Sequence, residues 1–281
     1  MAFKDLLVHI GKSRHRDQCI EIAAGMALAF DAHLTGLYTV PDLTKMYASS
    51  FVEPLLITDI VASQEAEQAR ACQVAKSLFN DVTRRAGIKA EWREVKGDAG
   101  DAAALHARYV DLTIIGQTDP DEVLTESERM VPVRVLFESG RPVLMVPYVT
   151  APVTFGKRVM IAWNASPQAT RAVNDSLPLL EEAKSVTVLA INPHHGSRGH
   201  GEVPGADIAL HLARHGVKAE ATHVFADDVE VGNMILSRAA DLEADLIVMG
   251  AYGHTRLREL VLGGATRSLL GQMTVPVFMS H

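Results

Sequence analysis

Short apolar runs rich in Val, Ile and Leu recur along the chain. They alternate with stretches in which apolar positions return every three to four residues. In the second half the runs fall at 158–163, 185–191, 218–224, 245–250 and 275–279, and the helical patterns at 168–182, 206–215, 231–242 and 265–272. Runs this short and this uniformly apolar read as strands buried on both faces. Strands separated by helices pair in parallel, through right-handed crossovers that cover both sides of the sheet. The pattern therefore predicts an α/β fold built on parallel sheets.

The pattern also repeats. Asp111-Leu-Thr-Ile-Ile-Gly116 returns 134 positions later as Asp245-Leu-Ile-Val-Met-Gly250, and Pro142-Val-Leu-Met-Val returns at the same offset as Pro276-Val-Phe-Met-Ser. Upstream, Lys4-Asp-Leu-Leu-Val-His-Ile10 resembles Lys157-Arg-Val-Met-Ile-Ala-Trp163, now 153 positions on. The excess length of the first half is expected after its second strand. Two copies are expected, at 1–148 and 156–281, joined through 147–156, where Pro147, Pro152 and Gly156 break regular structure. The last strand of each copy is expected at a sheet edge, where the two halves, or two chains, would join.

One stretch carries candidate chemistry. After Asp245-Leu-Ile-Val-Met-Gly250-Ala-Tyr-Gly253 come nine residues, then Gly263-Gly264-Ala265-Thr266. Glycines at a strand end let backbone turn sharply and approach a ligand, and a helix opening at Thr266 would turn free N–H groups toward an anion. With strand order 3-2-1-4-5, the crevice at the reversal of order lies between strands 1 and 4. The loops 164–168 and 250–264 would flank it. The same glycines would also serve if they only made tight turns and helix packing.

With repeat and motif in hand, the chain resembles a tandem universal stress protein. That family carries Gly-x-x-Gly, nine residues, then Gly-Ser/Thr after strand 4, matched here by Gly250, Gly253 and Gly263. The resemblance implies two tandem flavodoxin-like sandwiches of the adenine nucleotide alpha hydrolase kind, each a five-stranded parallel sheet of order 3-2-1-4-5. It further implies ATP or another adenine nucleotide as ligand, with Mg²⁺ as its accompanying ion. A stress-response role that is regulatory rather than catalytic follows from it, as does a homodimer made through the last strand. Carried over by position, Ile191 would line the adenine pocket, Ala162, Trp163 and Asn164 would flank base and ribose, and Met249 with Gly250 would lie near the ribose. Gly253, Gly263, Gly264, Ala265 and Thr266 would surround the phosphates. The chain departs from the family at Asn164, where Asp is common, and at Gly264, where Ser or Thr is common. Asn still bonds a hydroxyl but adds no charge for a metal.

In the first copy the positions matching Gly253, Gly263, Gly264 and Thr266 hold Asp119, Arg129, Met130 and Pro132. Asp119, Asp121 and Glu122 would set negative charge where phosphates belong, so nucleotide is expected in the second copy alone. An interaction scaffold with both sites degenerate is the alternative. An ATP-pyrophosphatase-type enzyme would need Ser-Gly-Gly-x-Asp-Ser after strand 1, where this chain has Asn164-Ala-Ser-Pro-Gln, and no nucleophile–base pair stands at a recognisable spacing.

Composition narrows the remaining choices. Lys+Arg 27 against Asp+Glu 34 gives net charge −7 with no basic block, which argues against nucleic acid. No apolar run approaches membrane-spanning length and the opening Met-Ala-Phe-Lys-Asp has no secretory core, so a cytoplasmic protein is expected. Cys19 and Cys72 stand singly and read as buried thiols. Gly11-Lys12-Ser13 lacks the upstream glycine of a phosphate loop. The loop holding His194, His195 and His200 has no evident fourth ligand for a metal. Arg256, Arg258 and Arg267 flank the glycine motif and His254 follows Gly253, where these side chains could reach a phosphate.

Overall fold

One aspartate at the entrance to the fourth strand organises each half. In the computed structural model, which describes residues 2–43, 54–149, 154–193, 202–226, 228–251 and 264–281 (side chains of 54–59 and 265 excepted), Asp111 Oδ2 accepts the backbone N–H groups of Lys4 (2.7 Å) and Asp5 (3.1 Å). Its counterpart Asp245 accepts those of Gly156 (3.0 Å), Lys157 (3.1 Å) and Arg158 (2.9 Å). Each carboxylate thus sets the start of the first strand of its half against the start of the fourth. Backbone donors at a strand entrance need partners, and an acceptor with two oxygens supplies several at once.

The first half contributes β1 (Asp5–Ile10), β2 (His33–Val40), β3 (Ala90–Lys96), β4 (Leu112–Gly116) and β5 (Val143–Val146). The second contributes β6 (Arg158–Ala162), β7 (Ser185–Ile191), β8 (Ala219–Val224), β9 (Leu246–Gly250) and β10 (Val277–Ser280). They form one ten-stranded sheet in the order β3-β2-β1-β4-β5-β10-β9-β6-β7-β8, so each half has the expected 3-2-1-4-5 arrangement. Every pairing is parallel except the joint, where β5 and β10 run antiparallel. At that joint Leu144 pairs with Phe278, and these are equivalent positions of the repeat. A residue facing its own counterpart, with Met145 against Val277 and Val143 against Met279, is what a pseudo-two-fold axis produces. The halves therefore join at their last strands, as expected from the exposed edges.

Helices cover both faces. The first half has α1 (Arg16–Phe30), α2 (Pro54–Ala86), α3 (Ala99–Ala107) and α4 (Glu126–Glu138). The second has α5 (Pro167–Asp175), α6 (Leu177–Leu180), α7 (Ala206–Arg214), α8 (Val231–Asp241) and α9 (Gly264–Gln272). Alternate strand residues feed two apolar layers. Leu6, Val8, Ile114, Ile161, Val248 and Phe278 pack with α1, α2, α5 and α7, whereas Leu7, Ile115, Met160, Ile247 and Val277 pack with α3, α4, α8 and α9. Each layer runs through both halves, so the junction is core rather than surface. Fully buried side chains of this size each contribute about 1.5–3 kcal/mol.

The extra length of the first half lies in α2, 33 residues long against 9 in α7. One expected helix is divided. The pattern over 168–182 forms α5 and α6, separated at Ser176. Pro178 has no N–H for the Asn174 carbonyl, so a continuous helix would lose that bond. Ser176 is fully buried, and its Oγ donates to Val173 O at 3.0 Å.

Candidate functional site

The strand order reverses between β6 and β9, which places the crevice of the second half where the sequence pattern expects it. Ala162 ends β6 in register with Met249 on one side and Leu189 on the other, and Trp163 N–H donates to Leu189 O at 2.8 Å. The chain then turns. Asn164 Oδ1 accepts Ser166 N–H at 3.2 Å, Ala165 adopts φ 56°, and Ser166 Oγ accepts Ala169 N–H at 3.1 Å to cap α5. Asn164 is exposed, Trp163 is half-buried, and Ile191 is half-buried at the end of β7. The Asn164 carbonyl oxygen already closes this turn, so its amide is the part that faces outward chemistry.

Gly250 has a packing reason of its own. A Cβ there would sit 2.3 Å from Ala169 N and 2.5 Å from Gln168 C, so the first turn of α5 rests directly on the strand end. Gly264 differs, since the nearest atom to a Cβ there is Glu230 Oε1 at 3.6 Å. Gly264 opens α9, Ala265 follows it, and Thr266 is buried. Ser268 Oγ donates to Asn233 Oδ1 at 3.0 Å, tying α9 to α8. The structure thus brings Ala162, Trp163, Asn164, Met249 and Gly250 to adjoining strand ends. Gly253 and Gly263 lie outside the described residues, as do His254, Arg256 and Arg258, and also His194, His195 and His200. Arg267 is exposed.

Glu230, which no sequence motif marks, belongs beside this group. It precedes α8, and its carboxylate reaches the first residue of α9. No local pattern links positions 230 and 264.

The equivalent crevice of the first half is an open cleft lined by His9, Ser13, Arg16, Thr39, Gln117 and Glu128 among others. Its acids face inward. Asp119 is buried; its Oδ2 accepts from Arg14 Nε at 3.1 Å and from Arg14 Nη2, with His15 Nε2 at 3.3 Å. Its Oδ1 accepts Asp121 N–H at 2.9 Å. The Arg14 guanidinium, helped by the Asp121 N–H, holds this carboxyl below the usual range. Glu122 Oε1 accepts from Ser13 Oγ (2.9 Å) and Arg14 N–H (2.8 Å). Glu128 closes a capping box with Thr125 and pairs with Lys12 at 3.4 Å. The loop after β1 therefore spends its donors on the chain's own carboxylates. His9, buried beside Thr39 Oγ1 (3.4 Å), is pushed down to about 4 by desolvation and stays neutral.

Gln117, the residue after β4, is also buried, and no motif signals it. Its side chain joins this cleft to α9 of the second half, donating to Leu270 O at 2.7 Å.

Comparison with known proteins adds the family. The family model described as the universal stress protein family matches residues 156–281. No curated protein matches the chain. Among solved structures, a universal stress protein from Archaeoglobus fulgidus is similar over 98% of this chain and 95% of its own, with TM-score 0.72 and 15% identity. A functionally unknown protein from Pseudomonas aeruginosa is similar over 99% and 92%, with TM-score 0.56 and 14% identity. At these identities the likeness is one of fold, and it spans both halves.

Proposed function

We propose, from the match of the universal stress protein family model to residues 156–281, a stress-response protein that binds an ATP-like adenine nucleotide in the crevice of unit 156–281. The unit 1–148 has the same strand order with the phosphate motif replaced. The function on this reading is regulatory: binding changes the protein. The observation that supports this reading most is the 162–164 turn and the tightly packed Gly250 at the adjoining ends of β6 and β9, with Gly264 opening the helix that comes next in the chain after β9. The N–H groups and dipole of such a helix favour an anion by about 0.3–1 kcal/mol each.

Base and ribose would meet Ala162, Trp163, Asn164, Ile191, Met249 and Gly250. The phosphates would meet Gly253, Gly263, Gly264, Ala265 and Thr266. Mg²⁺ would be held weakly, since Asn164 brings no charge. An affinity on the order of 10 μM, about −7 kcal/mol, is expected. Such a protein acts in the cytoplasm. No helix of the described residues is long and apolar enough to cross a membrane. The pairing through last strands that the family resemblance assigns to two chains is made here within one, so a homodimer would use another surface, for example the edges at β3 or β8.

The test is mass spectrometry of ligand carried through purification, followed by calorimetry with ATP, ADP and AMP. One site per chain is expected, lost in Gly253→Leu and unchanged in Asp119→Asn. Two equivalent sites per chain would sink the asymmetry. The scaffold reading draws on the self-satisfied carboxylates of the first cleft and on Asn164 and Gly264. It wins if no nucleotide binds at millimolar ligand while Asn164→Asp with Gly264→Ser gains binding.

A further inference from the structure

Two polar atoms of charged side chains in the first-half cleft lack a hydrogen bond. Buried polar atoms in folded proteins are almost always bonded, and each exception calls for a partner. Among the described residues, Arg16 Nε and Glu122 Oε2 are buried without a hydrogen-bond partner, and both residues line this one cleft. Asp17 Oδ1 stands 3.8 Å from Arg16 Nε, beyond hydrogen-bond reach. The opposite oxygen of Glu122 is fully used by Ser13 and Arg14, which fixes the carboxylate and leaves Oε2 as the free acceptor. One unmet donor is cationic and one unmet acceptor is anionic.

The rest of the lining narrows the ligand. Lys12, Arg16, Glu122 and Glu128 cancel in charge, and Lys12 and Glu128 already pair. A phosphate ester would face Glu122 and Glu128, and of the two cations in the lining Lys12 is already taken. Cys19, Ile115, Leu124, Val131 and Pro132 give one part of the wall an apolar surface, beside the polar Thr39, Gln117 and Thr118. The helix α1 begins at Arg16, and its N-cap His15 supplies no side-chain capping bond, so a carboxylate near Arg16 also meets the positive end of a helix.

We infer that this cleft binds a small zwitterion, a free amino acid with an apolar side chain, whose carboxylate accepts from Arg16 Nε and whose ammonium donates to Glu122 Oε2. The side chain lies against Ile115, Leu124 and Val131. The two halves then answer different ligands: a nucleotide in one, an uncharged-overall metabolite in the other. This site stands whether or not the second half binds nucleotide.

The experiment is calorimetry on the intact chain with L-leucine, L-isoleucine, L-valine, L-methionine and L-phenylalanine. At least one binds at one site per chain, with Kd on the order of 0.1–1 mM. For that amino acid, the N-acetyl derivative and the carboxamide bind at least about tenfold weaker, because each removes one charged hydrogen bond. Glu122→Gln, checked for folding by circular dichroism, weakens the free amino acid by a similar factor and narrows the gap to its N-acetyl form. The derivatives test the idea in the wild-type protein even if the variant fails to fold. Three results overturn the proposal: none of the five binds at about 10 mM, the derivatives bind as well as the free amino acid, or Glu122→Gln folds and leaves binding intact. A Zn²⁺ titration is the remaining arm. His15, Asp119 and Glu122 offer ligand atoms within 4.8 Å of one another. Zn²⁺ saturating a site that Glu122→Gln removes, with no amino acid bound, would reassign Glu122 to a metal and end the zwitterion reading.

Discussion

Gln117 of the first half donates its side-chain amide to the Leu270 carbonyl of the second, at 2.7 Å across 153 positions of sequence. Leu270 lies in the last turn of α9, where carbonyls have no partner within the helix. The Gln117 carbonyl in turn accepts Tyr148 N–H at 3.0 Å. One buried side chain thus finishes a helix in one half and holds the chain end of the other. Gln117→Leu is expected to destabilise the protein by about 1–3 kcal/mol, because both partners are left unmet. Urea unfolding would show this as a lower midpoint. A change under about 0.5 kcal/mol would mean that water replaces the side chain at no cost.

Gly250 and Gly264 both belong to the glycine motif, yet the structure separates them. At Gly250 a methyl group would strike the backbone of α5 at 2.3 Å, and backbone cannot rotate away. Gly250→Ala should cost about 1–3 kcal/mol or more, as overpacking does. At Gly264 the nearest atom is the end of an exposed side chain at 3.6 Å, so Gly264→Ser should stay within about 0.5 kcal/mol of wild type. Thermal unfolding of the two variants side by side checks the contrast.

These two glycines show how far the sequence could be read. Strand periodicity, the repeated Asp-x-x-x-x-Gly step and the edge position of the last strands were all legible, because each is local or repeats at a fixed offset. The reason for the acids was not legible: Asp111 and Asp245 bond the entrances of strands about a hundred residues upstream. The helix break at Ser176 follows from Pro178 and could have been read. The acids Asp119 and Glu122 were legible only as charge. Their partners Ser13, Arg14 and His15 come from a loop more than a hundred positions away, which only the parallel pairing of β1 and β4 brings close. Gln117 and Glu230 carry no motif, and their partners are set by packing between elements.

Acid should weaken the protein partly through His9. Unfolded, its imidazole titrates near 6.5; folded, desolvation lowers it to about 4. Above 6.5 both states are neutral and the contribution is full. Between 6.5 and 4 the unfolded state alone takes up a proton, so stability falls with pH, and below 4 the loss is complete. The loss is on the order of 3 kcal/mol at most. His9→Gln cannot titrate, so its stability should change less between pH 7 and pH 4.5 than that of the wild type. An equal change in stability for the two proteins, measured by urea unfolding at the two pH values, would show that the buried imidazole is not the group responsible.

Glu230 sets the last expectation, which concerns nucleotide affinity. Its carboxylate lies against the first residue of α9, where an acid stabilises the ligand-free helix and repels a phosphate. The side chain is exposed, so the repulsion is screened to about 1 kcal/mol at 4 Å. Glu230→Gln should therefore tighten ATP binding by roughly fivefold and AMP binding less, since AMP carries less charge toward the helix. Adding salt should shrink the difference, because the term is electrostatic and open to solvent. Competition calorimetry at low and high ionic strength measures both effects. If Glu230→Gln leaves ATP affinity unchanged while ATP still binds, the phosphates do not approach Gly264. The glycines at 263 and 264 would then serve the entry to α9, and the anion would have to be held by the 250–253 turn alone.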